Sequence, residues 1–469
     1  MADLNPSLRG CLICNDQMVA KLKVIKSKEG VYLFPVQKKS LMKVPAILFF
    51  TDKLLNQFNT EPEIEAQIIN ACSLEGVSKV VITPDAHLGY GVPIGSVISS
   101  PTHLYPTAAG YDISCSVSLF KTSLNVEDVA DKRVRRKFIE TIELFVPLGI
   151  GKHRVKNQKL LDRNMQMECL VHGLIPLTQK IEHFERSVLD VDVKFLDDIP
   201  AKSMLAIDEL GSLGGGNHFL EMQTDQMGQI YIMIHTGSRG FGWNIADYFF
   251  KMAKELKCHK DLLAFPFESD LGKKYWNLHN MAGNFALVNH YLVSEATKLV
   301  LQNIFPSLQF EDIYTISHNL IQREFNQFIH RKGATRAFPA KLCQDTIWAK
   351  TGHPIIIPGS MYEGAAVLYA KDEAQESLYS INHGSGRRLG RKQAMRSLNQ
   401  AEVNSSMNDI IQEIAGVKVP SILINTRNVP LDESRFCYKR LDDILEAVEI
   451  ANLAKVDLRL YPLATIKGE

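Results

Sequence analysis

The 469-residue chain lacks the features that mark membrane, secreted or polyanion-coating proteins. No stretch approaches the roughly 18 consecutive apolar residues of a membrane span. The opening "MADLNPSLRGCLICND" has no basic flank followed by a long apolar run, so we expect a cytoplasmic protein with no membrane partner. Cysteine is sparse: eight are scattered without framework spacing, which argues for reduced thiols over disulfides. Cys11 and Cys14 form a lone C-x-x-C, and without a second pair or histidines at finger spacing they read as ordinary thiols. Charge of one sign is missing too. Lys and Arg number 53 against 52 Asp and Glu, so an anionic partner must be held by a local patch. The only basic runs, "KRVRRK" at 132–137 and "HRKGATR" at 330–336, read as solvated faces. Repeats, low-complexity tracts and long Pro/Gly/Ser linkers are absent, which excludes repeat arrays. So are G-x-x-x-x-G-K-[ST] and Lys-x-Asp-Gly, and the glycines at 384–390 miss the dinucleotide spacing. A P-loop, a lysine nucleotidyl carrier and a dinucleotide fold are thereby set aside.

What the chain does have is glycine in short clusters, at 89–95, 211–216, 237–242, 352–364 and 384–390. Each follows or interrupts a β-rich run: "VSKVVITP" before residue 85, "IYIMIH" ending at His235, "HPIIIPG" from 353 and "LYSINHG" ending at Gly384. Helical periodicity is clearest in "VEDVADKRVRRKFIETIELF", in 243–258, in the run from Trp276 to Phe305 and in "YKRLDDILEAVEIANLA". Strands and helices do not alternate as a barrel or a doubly wound sheet requires. The expected class is α+β: mixed sheets flanked by helices, a single catalytic domain over 61–469 with a helical excursion at about 243–304. The segment 1–60 is expected to pack on that domain or form part of it.

Several glycine loops carry metal-ligand side chains. "AAGYDISCSV" places Asp112 and Cys115 three residues apart, a spacing that lets carboxylate and thiolate reach one metal or bridge two. Histidines end apolar runs or follow glycines at His218 in "LGGGNHFLE", His235 in "IMIHTGSRGFG" and His318 in "YTISHNLIQRE". One carboxylate, one thiolate and three imidazoles suit one or two divalent transition-metal ions about 4 Å apart, such as Mn, Co or Zn. Successive backbone N–H groups in glycine loops also cradle anions. In "INHGSGRRLGRKQA", residues 381–394, His383 precedes a Gly-Ser-Gly turn and three arginines. As a metal ligand, a proton shuttle or a nucleophile it would fit equally. Neutral imidazole dominates at pH 7 and attacks phosphorus without first losing a proton, which makes His383 a candidate covalent carrier.

In order along the chain, "PDAHLGYGVPIG" (84–95), "GYDISC" (110–115), "GGGNHFLE" (214–221), "HTGSRG" (235–240), "SHN" (317–319), "PGSM" (358–361), "HGSGR" (383–387) and "ATIKG" (464–468) resemble the motifs of the RtcB-type RNA ligases. The resemblance implies joining of RNA ends bearing a 2′,3′-cyclic phosphate or 3′-phosphate to 5′-hydroxyl ends, with GTP and usually Mn²⁺, two ions per site. The RNA would be a broken tRNA or other structured RNA, and an accessory activator is compatible with it. By the same resemblance His383 would carry GMP, Cys115 would bridge two metals, Asp112 and His218 would complete one, and His235 and His318 the other. Guanylate-binding motifs are matched by Asn217, His218, Phe219, Leu220, Glu221, His318, Asn319, Pro358, Gly359, Ser360, Met361, His383, Gly384, Ser385, Gly386 and Lys467. Arg239 and Arg387 are expected at phosphates, since guanidinium forks suit those oxygens. His87 lies in a matched motif but receives no step.

The chain departs from the family pattern in two places. Ser114 and Ser116 stand where glycines are expected, which would narrow the metal loop, and "YEGAA" (362–366) follows "PGSM", so Tyr362 and Glu363 would reshape the nucleotide pocket. Two further readings stay open. The chain would be a metal-dependent RNA cyclic phosphodiesterase or phosphatase without ligation, or a non-catalytic RNA-binding relative.

Overall fold

In this computed structural model the described residues are 22–468 apart from 39, 60, 62, 150–159, 257–261, 409, 410 and 421. Cys11 and Cys14 lie outside them. A seven-stranded sheet runs in the order Ile25–Lys28, Val31–Phe34, Ala46–Phe49, Lys79–His87, Ile94–Ser100, Gln327–Lys332, Asn319–Glu324. The second sheet runs Phe310–Ser317, Ser116–Asn125, Gln229–Thr236, Phe219–Thr224, Ala454–Lys467, Ala365–Ala370, Ile355–Pro358, with Leu423–Ile424 beside Ala454–Lys467. Both are mixed: Ala46–Phe49 pairs Lys79–His87 in parallel, and Leu423–Ile424 pairs Ala454–Lys467 in parallel, while the other ladders are antiparallel.

The sheets pack face to face. Phe49, Val81 and Val97 of the first meet Val117, Phe219, Met233 and Ile316 of the second in one cluster, closed by Ile355, Ile356 and Ile357. The period-2 alternation of a strand sends the other side chains outward. Leu48, Val80 and Ile82 pack on helices Asp52–Phe58 and Ile64–Ser73. Leu220, Met222, Ile230, Ile232 and Ile234 pack on helices Lys132–Phe145 and Asp270–Ile304. Helices therefore flank the paired sheets, and the class is α+β as expected.

Two expectations change. The periodic run at 126–145 divides into Val126–Val129 and Lys132–Phe145, because Asp131 accepts from Arg133 N and caps the second helix. The helical stretch expected at about 243–304 begins earlier and divides into Arg239–Glu255 and Asp270–Ile304. Phe285 stacks on Phe241 at 5.0 Å between the two helices, while Val293, Val300 and Leu301 join the core beneath the second sheet. No helix among the described residues is long and apolar enough to cross a membrane.

Candidate active site

Strand register brings the sulfur and two imidazoles together. Ser116 pairs with Ser317 on one neighbouring strand and with Thr236 on the other. Cys115, His318 and His235, each one step from those residues, therefore meet at one end of the second sheet. The amide of His318 donates to Cys115 O at 2.9 Å. Cys115 Sγ lies 3.1 Å from His235 Nε2, which lies 3.3 Å from His318 Nε2. On the other side Sγ is 3.4 Å from His218 Nε2, itself 2.8 Å from Asp112 Oδ2. Two candidate cation sites result, Cys115 with His235 and His318, and Asp112 with Cys115 and His218, with ligand atoms in each within 4.8 Å of one another.

The chemistry of these donors fits divalent cations. His218 Nδ1 faces Leu213 O at 3.0 Å, which fixes the proton there and leaves a lone pair on Nε2 facing a carboxylate oxygen. Those two lone pairs repel unless a proton or a cation lies between them. Burial, aided by neighbouring imidazoles, holds His235 and His318 well below the ordinary imidazole range, in the neutral form that ligates metal. Burial and the Asp112 carboxylate push the Cys115 thiol well up, and a dication is the charge that offsets both. Buried His318 Nδ1 has no hydrogen-bond partner among the described residues. Burial also opposes ionisation of Asp112, but positive charge between its Oδ2 and His218 Nε2 outweighs this and holds the carboxyl low. Its other oxygen accepts from Ser238 N and Oγ, both at 3.2 Å. Gly237 makes that approach feasible, since a Cβ there would stand 2.6 Å from Asp112 Oδ1.

His383 stands beside these donors, its ring 4.9 Å from that of His318. Its Nδ1 donates to Asp85 Oδ2 at 2.7 Å, which leaves Nε2 with its lone pair. Asp85 is buried in the strand Lys79–His87. Burial opposes its charge, yet bonds from His383 and from Thr83 Oγ1 at 2.6 Å prevail and keep the carboxyl below its usual range. Gly386, at φ +72, completes the fit: a Cβ there would overlap the Asp85 backbone. Sequence reasoning missed Asp85. Its signal is a carboxylate in the middle of an apolar strand, which needs a partner.

A cavity of about 340 Å³ joins these groups to most of the expected nucleotide residues. His235, His318 and His383 line it with Asn217, Phe219, Glu221, Asn319, Pro358, Gly359, Ser360, Met361, Gly384, Ser385, Gly386 and Lys467. Ser385 Oγ is buried without a hydrogen-bond partner among the described residues. Glu221 accepts from Gln223 Nε2 at 2.6 Å and Thr465 Oγ1 at 2.9 Å, and burial, the largest influence, leaves its pKa raised. Asn319 ties two loops together, Nδ2 donating to Asp112 O at 3.2 Å and Oδ1 accepting from Gly333 N at 2.8 Å.

Several expected residues have other surroundings or protein partners. Leu220 alternates with Phe219 and Glu221, so its side chain enters the core on the helical side. Arg239 lies behind His218: Nη1 is 3.3 Å from His218 Nδ1, Nε donates to Ser212 Oγ and Nη2 to Gly149 O. Arg387 lines the cavity, but Nε donates to Leu389 O, Nη1 to Glu433 and Tyr438 Oη, and Nη2 to Asp432 O. Buried Glu433 draws it, together with Arg391 at 2.9 Å and Lys467 at 2.9 Å, into one ion cluster. Ser114 and Ser116 do not narrow the loop. They bond Ser317 Oγ at 3.1 and 2.9 Å, away from the cavity. Nor do Tyr362 and Glu363 line the pocket: the Tyr362 ring carries the Arg435 guanidinium at 3.5 Å, and Glu363 Oε2 accepts from Leu441 N, at the start of helix Leu441–Ile450.

The run at 330–336 is likewise no solvated face. Arg331, Lys332 and Arg336 are buried. Arg331 forks onto Glu324 at 2.7 and 3.0 Å, and Arg336 pairs with Glu185. Lys332 lines the cavity with Nζ donating to Tyr90 O at 2.6 Å and Val92 O at 3.1 Å, and burial pushes it down to about 7. His87, also on the wall, is pushed down by burial to about 3 and faces Asp85 O at 3.0 Å.

The chain is similar to known proteins along most of its length. The family model for tRNA-splicing ligase RtcB matches residues 67–468. A tRNA-splicing ligase RtcB from Aeropyrum pernix is 28% identical over 484 residues, covering 93% of this chain and 98% of the relative. The one from Thermococcus kodakarensis is 30% identical over 471 residues, covering 91% and 95%. An RNA-splicing ligase RtcB homolog 1 from Entamoeba dispar is 30% identical, covering 91% and 88%. The chain belongs to the RtcB family.

Proposed function

We propose that this chain is an RNA ligase that joins a 2′,3′-cyclic-phosphate or 3′-phosphate end to a 5′-hydroxyl end, with GTP as co-substrate and His383 as the carrier of GMP. The observation that carries the reading is the Asp85–His383 bond of 2.7 Å beside the two donor groups around Cys115. Asp85 fixes the tautomer and orientation of the ring, so Nε2 presents its lone pair to phosphorus. Nε2 attacks the α-phosphorus, an N–P bond forms, and the P–O bond to pyrophosphate breaks with its electrons leaving on oxygen. Water adds to a cyclic end and breaks its P–O2′ bond to give the 3′-phosphate. An RNA 3′-phosphate oxygen then displaces the imidazole from the α-phosphorus, and the 5′-hydroxyl oxygen attacks the RNA phosphorus, releasing its proton to solvent and expelling GMP.

Asp112, Cys115, His218, His235 and His318 would hold two divalent transition-metal ions, Mn²⁺ by likeness to the family, which when bound would neutralise phosphate charge and polarise the phosphoryl oxygens. Glu221 supplies a carboxylate acceptor for the N–H donors of guanine, and the backbone N–H groups of Ser360, Met361, Gly384 and Gly386 supply donors for phosphate. The cytoplasm, with its GTP, is the location this chemistry calls for. Ligation of paired 3′-phosphate and 5′-hydroxyl RNA ends, run with Mn²⁺ and GTP, then ATP, then neither, tests the reading. Joined product with GTP alone is expected. Conversion of cyclic ends to 3′-phosphates with no joining under any nucleotide would replace ligation with end processing.

A further inference from the structure

One wall of the cavity is aromatic and has no place in the chemistry above. Tyr111, the residue before Asp112, stacks on Trp243 at 5.4 Å with 19° between the rings. Phe250 meets Tyr111 edge-on at 4.5 Å and stacks on Tyr90 at 5.3 Å. Trp243 and Phe250 lie two turns apart in the helix Arg239–Glu255, and so on one side of it. The four rings form a continuous row. Tyr90, Tyr111 and Phe250 line the same cavity as His383, and Trp243 extends the row outward with 46% of its surface exposed. A single exposed tryptophan is unremarkable on a protein surface. A row of contacting rings running from a phosphate-handling cavity to solvent is different, because every nucleobase has a π-face that such a row can take irrespective of sequence.

We propose that the row Trp243–Tyr111–Phe250–Tyr90 is a stacking platform for the unpaired terminal nucleobase of the RNA strand whose end reacts at His383. The proposal rests on the RNA-ligase reading and adds a base-binding subsite to it. The platform holds the base by its face, so it selects single-stranded ends over paired ones and reads no sequence. Lys332, bonded to Tyr90 O, brings a nitrogen donor to the same wall.

The test uses the full chain and a short fluorescently labelled 3′-phosphate RNA, titrated by anisotropy, with a second RNA lacking only its terminal base. Wild-type protein should bind the base-bearing RNA about tenfold more tightly than the abasic one, the scale of one base–aromatic stack. Trp243→Ala should lose that preference while leaving affinity for the abasic RNA unchanged, and Trp243→Phe should recover most of it. Equal wild-type affinity for both RNAs, or a preference that survives Trp243→Ala, overturns the proposal. Labelling of wild type and Trp243→Ala with α-labelled GTP, run in parallel, separates the two ideas. Unlabelled wild type would sink the ligase reading, whereas equal labelling with no base preference would sink the platform alone.

Discussion

Asp85 and His383 stand 298 residues apart, yet the function proposed here depends on the hydrogen bond between them. If Asp85 orients the nucleophile, Asp85→Asn should slow single-turnover guanylylation by about 10²–10⁴-fold, the usual worth of a positioned acid–base partner. An unchanged rate would mean that His383 is held by something else. His383 was legible in the sequence because a histidine before a glycine turn is chemically conspicuous. Asp85 was not, because nothing within "VVITPDAH" says which distant loop its carboxylate meets. The partners of Arg387 and Arg239 were hidden for the converse reason: a guanidinium that looks made for phosphate is equally suited to pair with Glu433 or to lie behind a ligand histidine. Buried partners of that kind are invisible along the chain.

At the scale of the element, strand alternation decides which residues of a motif face the site. "NHFLE" offered Phe219, Leu220 and Glu221 together, and the period of two assigns the first and third to the cavity and the second to the helical core. Leu220→Ala should therefore cost about 2–5 kcal/mol of stability by chemical denaturation and leave GTP affinity of the folded protein unchanged. A loss of GTP affinity without destabilisation would reverse that assignment. The turn after the strand Gln229–Thr236 is equally specific. Gly237→Ala would push Asp112 off its bonds with Ser238, and weakening of Mn²⁺ binding by about 10–100-fold is expected by calorimetry, the scale of losing a ligand's supporting shell. Unaltered Mn²⁺ affinity would show that Asp112 is not a ligand. The strands themselves were readable from their β-branched runs. The break before Asp131 was also in the sequence, as an N-cap, but helical periodicity on both sides hid it.

For the whole molecule, the sequence pointed to an α+β chain without showing that its sheets face each other or that Asp270–Ile304 is a core element. Pairings such as Ser116 with Thr236 and Ser317 bridge more than a hundred residues, and local pattern carries no information about them. Burial on this scale has a consequence for acid. His330 and His353 are pushed down to about 3, and His279 to about 4, each chiefly by desolvation. In the unfolded chain they protonate near 6.5, so stability is full above that pH and falls as pH drops towards 3, by about 1.4 kcal/mol per unit for each histidine. The melting temperature should fall steeply between pH 6.5 and 4.5, and a flat profile there would contradict the buried, neutral assignment.

The central claim is that a histidine carries the nucleotide. Full-length protein incubated with Mn²⁺ and GTP labelled at the α-phosphate, then digested and mapped by mass spectrometry, tests it most directly. The account predicts an acid-labile GMP on His383, absent from His383→Ala. Absence of label on wild type, or label that persists in His383→Ala, would contradict it.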